Sequence, residues 1–489
     1  MGSEAIIANP LGWAQVRLLG GWRRVGAVTG LYAAAVVLFH VFIYRMMGRQ
    51  TTLSGFASGA LQVMTFIEAL IIFFVGAGAI KKAIHRDFTT DMIASHRMTA
   101  MSGYSAVIGY LTGATAQVLM LTLVNWMTCT VLAGLAGIST TILAPTLILV
   151  VFGTMASMLW TLAVLVGLGT RGTTSVSGVL VLLVIVWNAK VVIAVPGLAL
   201  LVGFTAIQDL PTATAGGITD ASFVVSMFAQ MTFALAFFIA AARKFGGDEV
   251  PAFTPVLAYA LFAAWTLLSA VALTHWPDAA GSPLARVIGL EAKCVATMVG
   301  LALVAFLPVA AAAMREAQWA RRSARDADYD ERRPYPFYVA PMWVTIIACV
   351  ILLAVKTPVF YSSIAVASPG APVLRTSLPL IGMVSAFLFS MVAVSGLLRF
   401  TYSVKVRAIF VLVGYVVLGW AVPPLLDMSL ALAGGRSSTE AATWLFGCSP
   451  IGTWIITLTH GVVGPLLPGL AVQAAVAAGA LALAARSRD

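Results

Sequence analysis

Apolar residues fill this chain in blocks separated by short charged or Gly/Pro-rich breaks, and the length of the blocks decides the fold class. A hydrocarbon core of about 30 Å is crossed by about 20 helical residues. Blocks of that length lie at about 27–46, 57–80, 104–136, 141–168, 174–193, 222–243, 253–275, 287–314, 339–357, 377–398, 407–426 and 466–485. The pattern predicts an all-α polytopic integral membrane protein of about 12 transmembrane helices. Ahead of the first block, Asn9-Pro10 reads as a helix start, with Asn as N-cap and Pro in the first turn. Leu11, Ala14, Leu18 and Trp22 then recur at helical spacing, while Gln15 and Arg17 face elsewhere and Arg23 and Arg24 follow. That is the pattern of an amphipathic helix lying on a membrane surface.

Composition agrees with the blocks. Of 489 residues, 61% are hydrophobic and only 10% charged, so the bilayer has to be the solvent for most of the chain. The net charge of +11 does not imply nucleic acid, because the basic residues sit in short loops between apolar runs rather than on one exposed domain. With the N-terminus inside, 21 of the 29 basic residues fall in inner loops or termini, 6 in outer loops and 2 within spans. The positive-inside rule therefore puts both termini in the cytoplasm. Cys129, Cys294, Cys349 and Cys448 lie far apart, without the spacing of a metal site or a disulfide framework. The first span follows a basic stretch and is long enough to remain as a helix, so no cleavable signal is expected.

One inner loop differs from the rest. Residues 81–103, KKAIHRDFTTDMIASHRMTAMSG, mix both signs of charge with methionines at helical spacing. Thr89 or Thr90 can cap a short helix containing Met92, Ile93, Ser95 and His96, with Met98 and Met101 continuing its apolar side until Ser102-Gly103 breaks it. A short helix of this character, too polar to enter the membrane, suits docking against a cytosolic partner.

The stretch Arg86–Tyr110, RDFTTDMIASHRMTAMSGYSAVIGY, resembles the cytoplasmic coupling segment of type-2 ATP-binding-cassette permeases. Met101, Ser102, Val107, Ile108 and Gly109 fit that family's pattern; Thr89-Thr90, Ala100 and Tyr110 depart from it, standing where Gly-Thr, Pro and Lys are usual. In the family an elbow helix precedes six spans, the coupling segment joins the second span to the third, and partly re-entrant helices lie on the outer side before the sixth. Residues 1–245 follow this order, with the short apolar stretch VPGLALLVGF, 195–204, in the re-entrant place. The resemblance implies an elbow helix over 1–26, a permease-like domain over 27–250, and a further six-helix bundle over 251–489 to which it assigns no role. It also implies an exporter of the bacterial cytoplasmic membrane.

The family's engine is a pair of ATPase domains, and no GxxxxGK[ST] occurs in this chain, so the ATPase is expected on a separate polypeptide. Asp87, Asp91, His96 and Arg97 are the expected polar contacts with it, and Met92, Ile93 and Met98 the apolar ones. Membrane lipids and a homodimer or larger membrane complex are the other expected partners. Neither nucleic acid nor a cofactor is expected, and no enzymatic constellation can be assembled.

Four ionisable residues fall inside apolar spans: Glu68, Lys190, Glu291 and Lys293. Each costs roughly 2.5–3.5 kcal/mol on insertion scales and calls for a partner or water. Glu68 and Lys190 can form an ion pair, whereas Glu291 and Lys293, two apart, point to different sides of one helix near its outer end. Asn125 and Asn188 can bond across helices, and His40 and His460 are lone histidines in apolar surroundings. Residues 315–337 read as a solvated, charge-dense connector. A secondary transporter and a non-catalytic subunit of a membrane complex are the competing readings. The major-facilitator loop motif is missing, and no repeat between halves is visible in the letters.

Overall fold

The computed structural model describes residues 9–47, 52–99, 101–138, 142–171, 221–247, 250–275, 290–325, 334, 336, 339–354, 373–404, 408–433, 444–459 and 466–486. Every regular element among them is helical. Nine of the described helices are long and apolar enough to cross a membrane, and shorter apolar helices occupy Val339–Cys349 and Val411–Asp427. Together they carry every predicted span except 174–193, which lies outside the described residues. The protein is thus a polytopic all-α membrane protein.

The chain divides into two compact units, between Ala252 and Phe253 among the described residues. In the first, the surface helix α1 (Pro10–Leu18) leads into α2 (Gly21–Met47). Helix α3 runs from Leu53 to Thr89, with a π-helical turn at Ile71–Val75. A seven-residue helix, α4 (Met92–Met98), follows. Helix α5 begins at Gly103, widens into a π-helical turn at Tyr110–Ala114 and continues as Ala116–Leu135. Helices α6 (Leu143–Thr170) and α7 (Ala221–Phe245) complete the unit.

The second unit holds α8 (Pro255–His275), α9 (Leu290–Arg325), α10 (Val339–Ala354) and α11 (Val373–Val404). Helix α12 spans Ala408–Ala433 with a π-helical turn at Val416–Ala421; the short pair α13 (Trp444–Gly447) and α14 (Pro450–Thr459) precedes the last helix, α15 (Leu466–Arg486). Arg315 and the ten residues after it continue α9, so this part of the expected connector is helix, and its inner side is packed: Ala313, Glu316 and Ala317 are buried. The remainder of that connector, apart from Pro334 and Pro336, lies outside the described residues.

The π-helical turn of α3 shows how these helices lock together. A π-turn breaks the regular i→i−4 ladder, and in lipid every freed backbone group needs a partner inside the protein. Trp160 of α6 supplies one: its indole Nε1–H donates to the Ile72 carbonyl at 2.9 Å. The same indole fills the space beside Gly76, where a Cβ would come within 2.7 Å of Trp160 Cε2.

Candidate functional site

The candidate site is the inner end of the first unit, where α1, the end of α3, α4, the start of α5 and the end of α7 meet. Asn9 starts it as expected: its side-chain Oδ1 accepts from Gly12 N at 3.0 Å, and its Nδ2 donates to the Ser105 carbonyl of α5 at 2.7 Å. Helix α1 can approach α5 this closely because two glycines of α5 face it. A Cβ on Gly109 would lie 2.8 Å from the Leu11 Cβ, and one on Gly113 would lie 2.8 Å from the Gly12 Cα. Leu11, Gly12, Gln15 and Val16 are consequently the buried face of α1, whereas Trp13, Leu18 and Trp22 are exposed. Of the stripe expected to lie on lipid, Leu11 has turned into the protein.

Gln15, expected to face elsewhere, is the correction with the largest consequence. Its Nε2 donates to Asp87 Oδ2 at 3.1 Å, and its Oε1 accepts from the Arg86 guanidinium at 2.6 Å. Tyr110 donates its hydroxyl to the same Asp87 Oδ2 at 2.7 Å. Asp87 has no exposed surface at all. A buried carboxylate needs such donors, and they bind the second span, the surface helix and the third span into one network. Asp87 is therefore not a contact for a partner protein.

The connection after α3 also differs from expectation. Thr89 and Thr90 do not cap α4; both hydroxyls donate to the Arg86 carbonyl, at 2.9 and 2.8 Å, and so close the last turn of α3. Asp91 holds the N-cap position of α4 in a left-handed conformation, φ 54°, with no side-chain cap bond. Short polar side chains tolerate this region better than most, and it makes the tight reversal between the two helices.

The face of α4 then decides which expected contacts can act outward. Ile93 is buried, and Arg97 donates from Nε to the Phe245 carbonyl at 2.8 Å, at the C-terminal end of α7 where a cation is favoured. Those two fasten α4 within the unit. Met92 and His96 are half-buried, with His96 Nε2 enclosed and without a hydrogen-bond partner among the described residues. Asp91, Ala94, Ser95 and Met98 are exposed, Met98 by 84%. Next to α4, Gly103 lies against the Ala242 carbonyl of α7, and the Tyr104 and Phe238 rings meet with centroids 5.8 Å apart. Helix α4 is thus tied to the sixth span on one side and, through the end of α3, to α1 on the other.

The intramembrane charges are distributed unevenly. Glu68 of α3 is only 2% exposed, and its Oε1 has no hydrogen-bond partner among the described residues. It sits within electrostatic reach of Tyr32 and Cys129. Asn125 bonds across helices as expected, accepting from the Tyr32 hydroxyl at 2.7 Å, while its Nδ2 and the Thr122 hydroxyl of the same helix find no partner. Lys190, the expected partner of Glu68, lies outside the described residues, as do Asn188, His460 and the stretch 195–204. Glu291 and Lys293 belong to the backbone of α9, but their side chains are outside the described set. His40 is satisfied locally, with Nδ1 2.7 Å from the Val36 carbonyl.

Gln15 and the glycines at 109 and 113 are the residues that sequence reasoning missed. Two glycines one helical turn apart at the start of a span are the signal that could have found them, since small residues mark close helix approach in membranes. Compared with protein-family models, curated proteins and solved structures, the chain finds no match.

Proposed function

We propose that the chain is the membrane permease subunit of an ATP-driven exporter of the ATP-binding-cassette type, energised by a separate ATPase subunit. The observation that carries this reading is the two-sidedness of α4. Its inner face is fastened to α7 by Arg97 and to the packed interior by Ile93, and its outer face presents Asp91, Ser95 and Met98. A short helix whose outer face carries an exposed methionine fits a groove on another protein. Displacement of α4 is transmitted by packed contacts to α7 directly, and through Arg86 and Asp87 to α1 and so to the first span. The resemblance of 86–110 to coupling segments supports the same assignment.

The test is association. Met98→Asp places a charge where the partner's groove has to be apolar, without touching the internal fasteners. The variant is expected to lose at least tenfold in affinity for a co-expressed ATP-binding-cassette ATPase while keeping the parent's unfolding temperature. Undiminished co-purification of ATPase and variant would sink the assignment.

A second reading rests on Glu68. A buried carboxyl inside a span, one oxygen of which has no hydrogen-bond partner among the described residues, is also what a proton-coupled secondary transporter uses. Transport driven by a proton gradient without ATP, and lost in Glu68→Gln, would favour it.

A further inference from the structure

We infer that a cleft at the basic end of the second unit binds one anionic phospholipid of the cytoplasmic leaflet, with the lipid phosphate on Arg315 and the start of an acyl chain along Trp343 and Ile347. The site does not depend on the transport reading.

The cleft lies where the first three spans of the second unit, α8, α9 and α10, meet. Pro255 and Val339 stand at the starts of α8 and α10, and Arg315 is the first charged residue after the apolar part of α9. These three residues mark the mouth, at the level where apolar helix gives way to charge. Tyr259 and Trp343 lie one helical turn deeper and Ile347 two turns, so the lining reaches about 12 Å toward the hydrocarbon. The volume of about 370 Å³ lies within the range of small-molecule sites. That is room for a headgroup and the start of one chain, with the rest of the lipid against the outside of the helices.

Charge selects the headgroup. Arg315 is the one charged residue among those lining the cleft, and it is exposed, with no hydrogen bond or ion pair among the described residues. Glu316, next to it in the chain, is 1% exposed and turned into the protein, so it does not offset the charge at the mouth. Arg321 and Arg322, exposed farther along α9, add to the positive potential. A planar guanidinium grips a phosphate through two parallel hydrogen bonds, and basic pockets between transmembrane helices on the cytoplasmic side suit anionic headgroups. A zwitterionic lipid carries its own cation beside the phosphate and gains less from this arginine.

The apolar lining selects a lipid over a soluble phosphate compound. A soluble polyanion needs partners for its other charges and hydroxyls, and beyond Arg315 the cleft offers mainly apolar and aromatic walls. An amphiphile has the same division as the cleft, one anion above an apolar chain. The rim faces lipid as well: Val256 and Met342, each next in the chain to a lining residue, are exposed. Trp343, 55% exposed, is a residue type that settles at the headgroup level of a bilayer.

The test uses the full-length protein, purified in detergent, stripped of lipid and mixed with phosphatidylglycerol or phosphatidylcholine of the same chains. The parent is expected to hold one phosphatidylglycerol about tenfold more tightly than phosphatidylcholine in native mass spectrometry. Its unfolding temperature is expected to rise with phosphatidylglycerol, because the folded state alone has the site. Arg315→Gln is expected to unfold like the parent without lipid and to lose both the preference and the rise. Ala312→Leu, which fills the cleft and leaves the charge in place, is expected to weaken phosphatidylglycerol binding. Equal binding of the two lipids by the parent, or an undiminished preference in Arg315→Gln, overturns the site. Full binding by Ala312→Leu would place the lipid on the surface charge and overturn the cleft as its seat. Inorganic phosphate and glycerol 3-phosphate are the soluble controls; stabilisation of the parent by either one, equal to that by phosphatidylglycerol, overturns the lipid as occupant.

Discussion

The junction between second and third spans is built differently in the two units. In the first, α1 lies across it, seated on Gly109 and Gly113 and bonded through Gln15 to Asp87 and Arg86. In the second, no surface helix is described before α8, and the junction is a cleft of about 370 Å³. Pro255 and Tyr259 of the first span, Ala312 and Arg315 of the second, and Val339 and Trp343 of the third line it. Arg315 is exposed and makes no hydrogen bond or ion pair among the described residues. Among the described residues the junction is sealed by polar bonds and glycine contacts in the first unit and holds a cleft in the second. In the first unit the surface helix adds a mechanical link between α3 and the first span.

Four substitutions sharpen that contrast. The largest effect is expected from Gly113→Leu, whose side chain collides with Gly12 and Gln15 and forces α1 off α5. Overpacking of this kind costs about 3 kcal/mol, read as a clear fall in unfolding temperature in detergent. Ala312→Leu, which enters the open cleft of the second unit, is expected to leave that temperature within a degree or two. Equal losses in the two variants would break the distinction between sealed and open junctions.

Next comes Asp87→Ala. It leaves the Gln15 amide and the Tyr110 hydroxyl without their shared acceptor in a buried place, at a cost of about 2 kcal/mol. Hydrogen exchange should also show α1 opening more readily than in the parent. A variant as stable and as protected as the parent would show that the glycine contacts alone hold α1.

Arg315→Gln is expected to have the smallest effect. An exposed, unpaired arginine contributes within about 0.5 kcal/mol, so thermal unfolding should be unchanged. A marked loss of stability would mean that the cleft depends on this charge.

Spans were legible in the sequence because crossing a bilayer is a local requirement: about 20 apolar residues suffice, and no knowledge of neighbours is needed. For the same reason the basic residues ordered the loops, and Asn9-Pro10 marked a helix start that the structure holds with an Asn9–Gly12 bond. Glu68 was picked out because a charge in an apolar run is conspicuous wherever it falls. The cap of α4 was misplaced because Thr89 and Thr90 had two helix ends within reach, the free carbonyls closing α3 and the free N–H groups opening α4, and the Arg86 carbonyl of α3 took both hydroxyls.

What sequence alone determined was the solvent and the secondary structure, and it set the stretch 81–103 apart from the other loops. Only the tertiary structure decided which residues of that stretch are available, because α4 has one face and Ile93, Arg97 and Asp87 are spent on its neighbours. It alone paired Gln15 with Asp87 across 72 residues of chain.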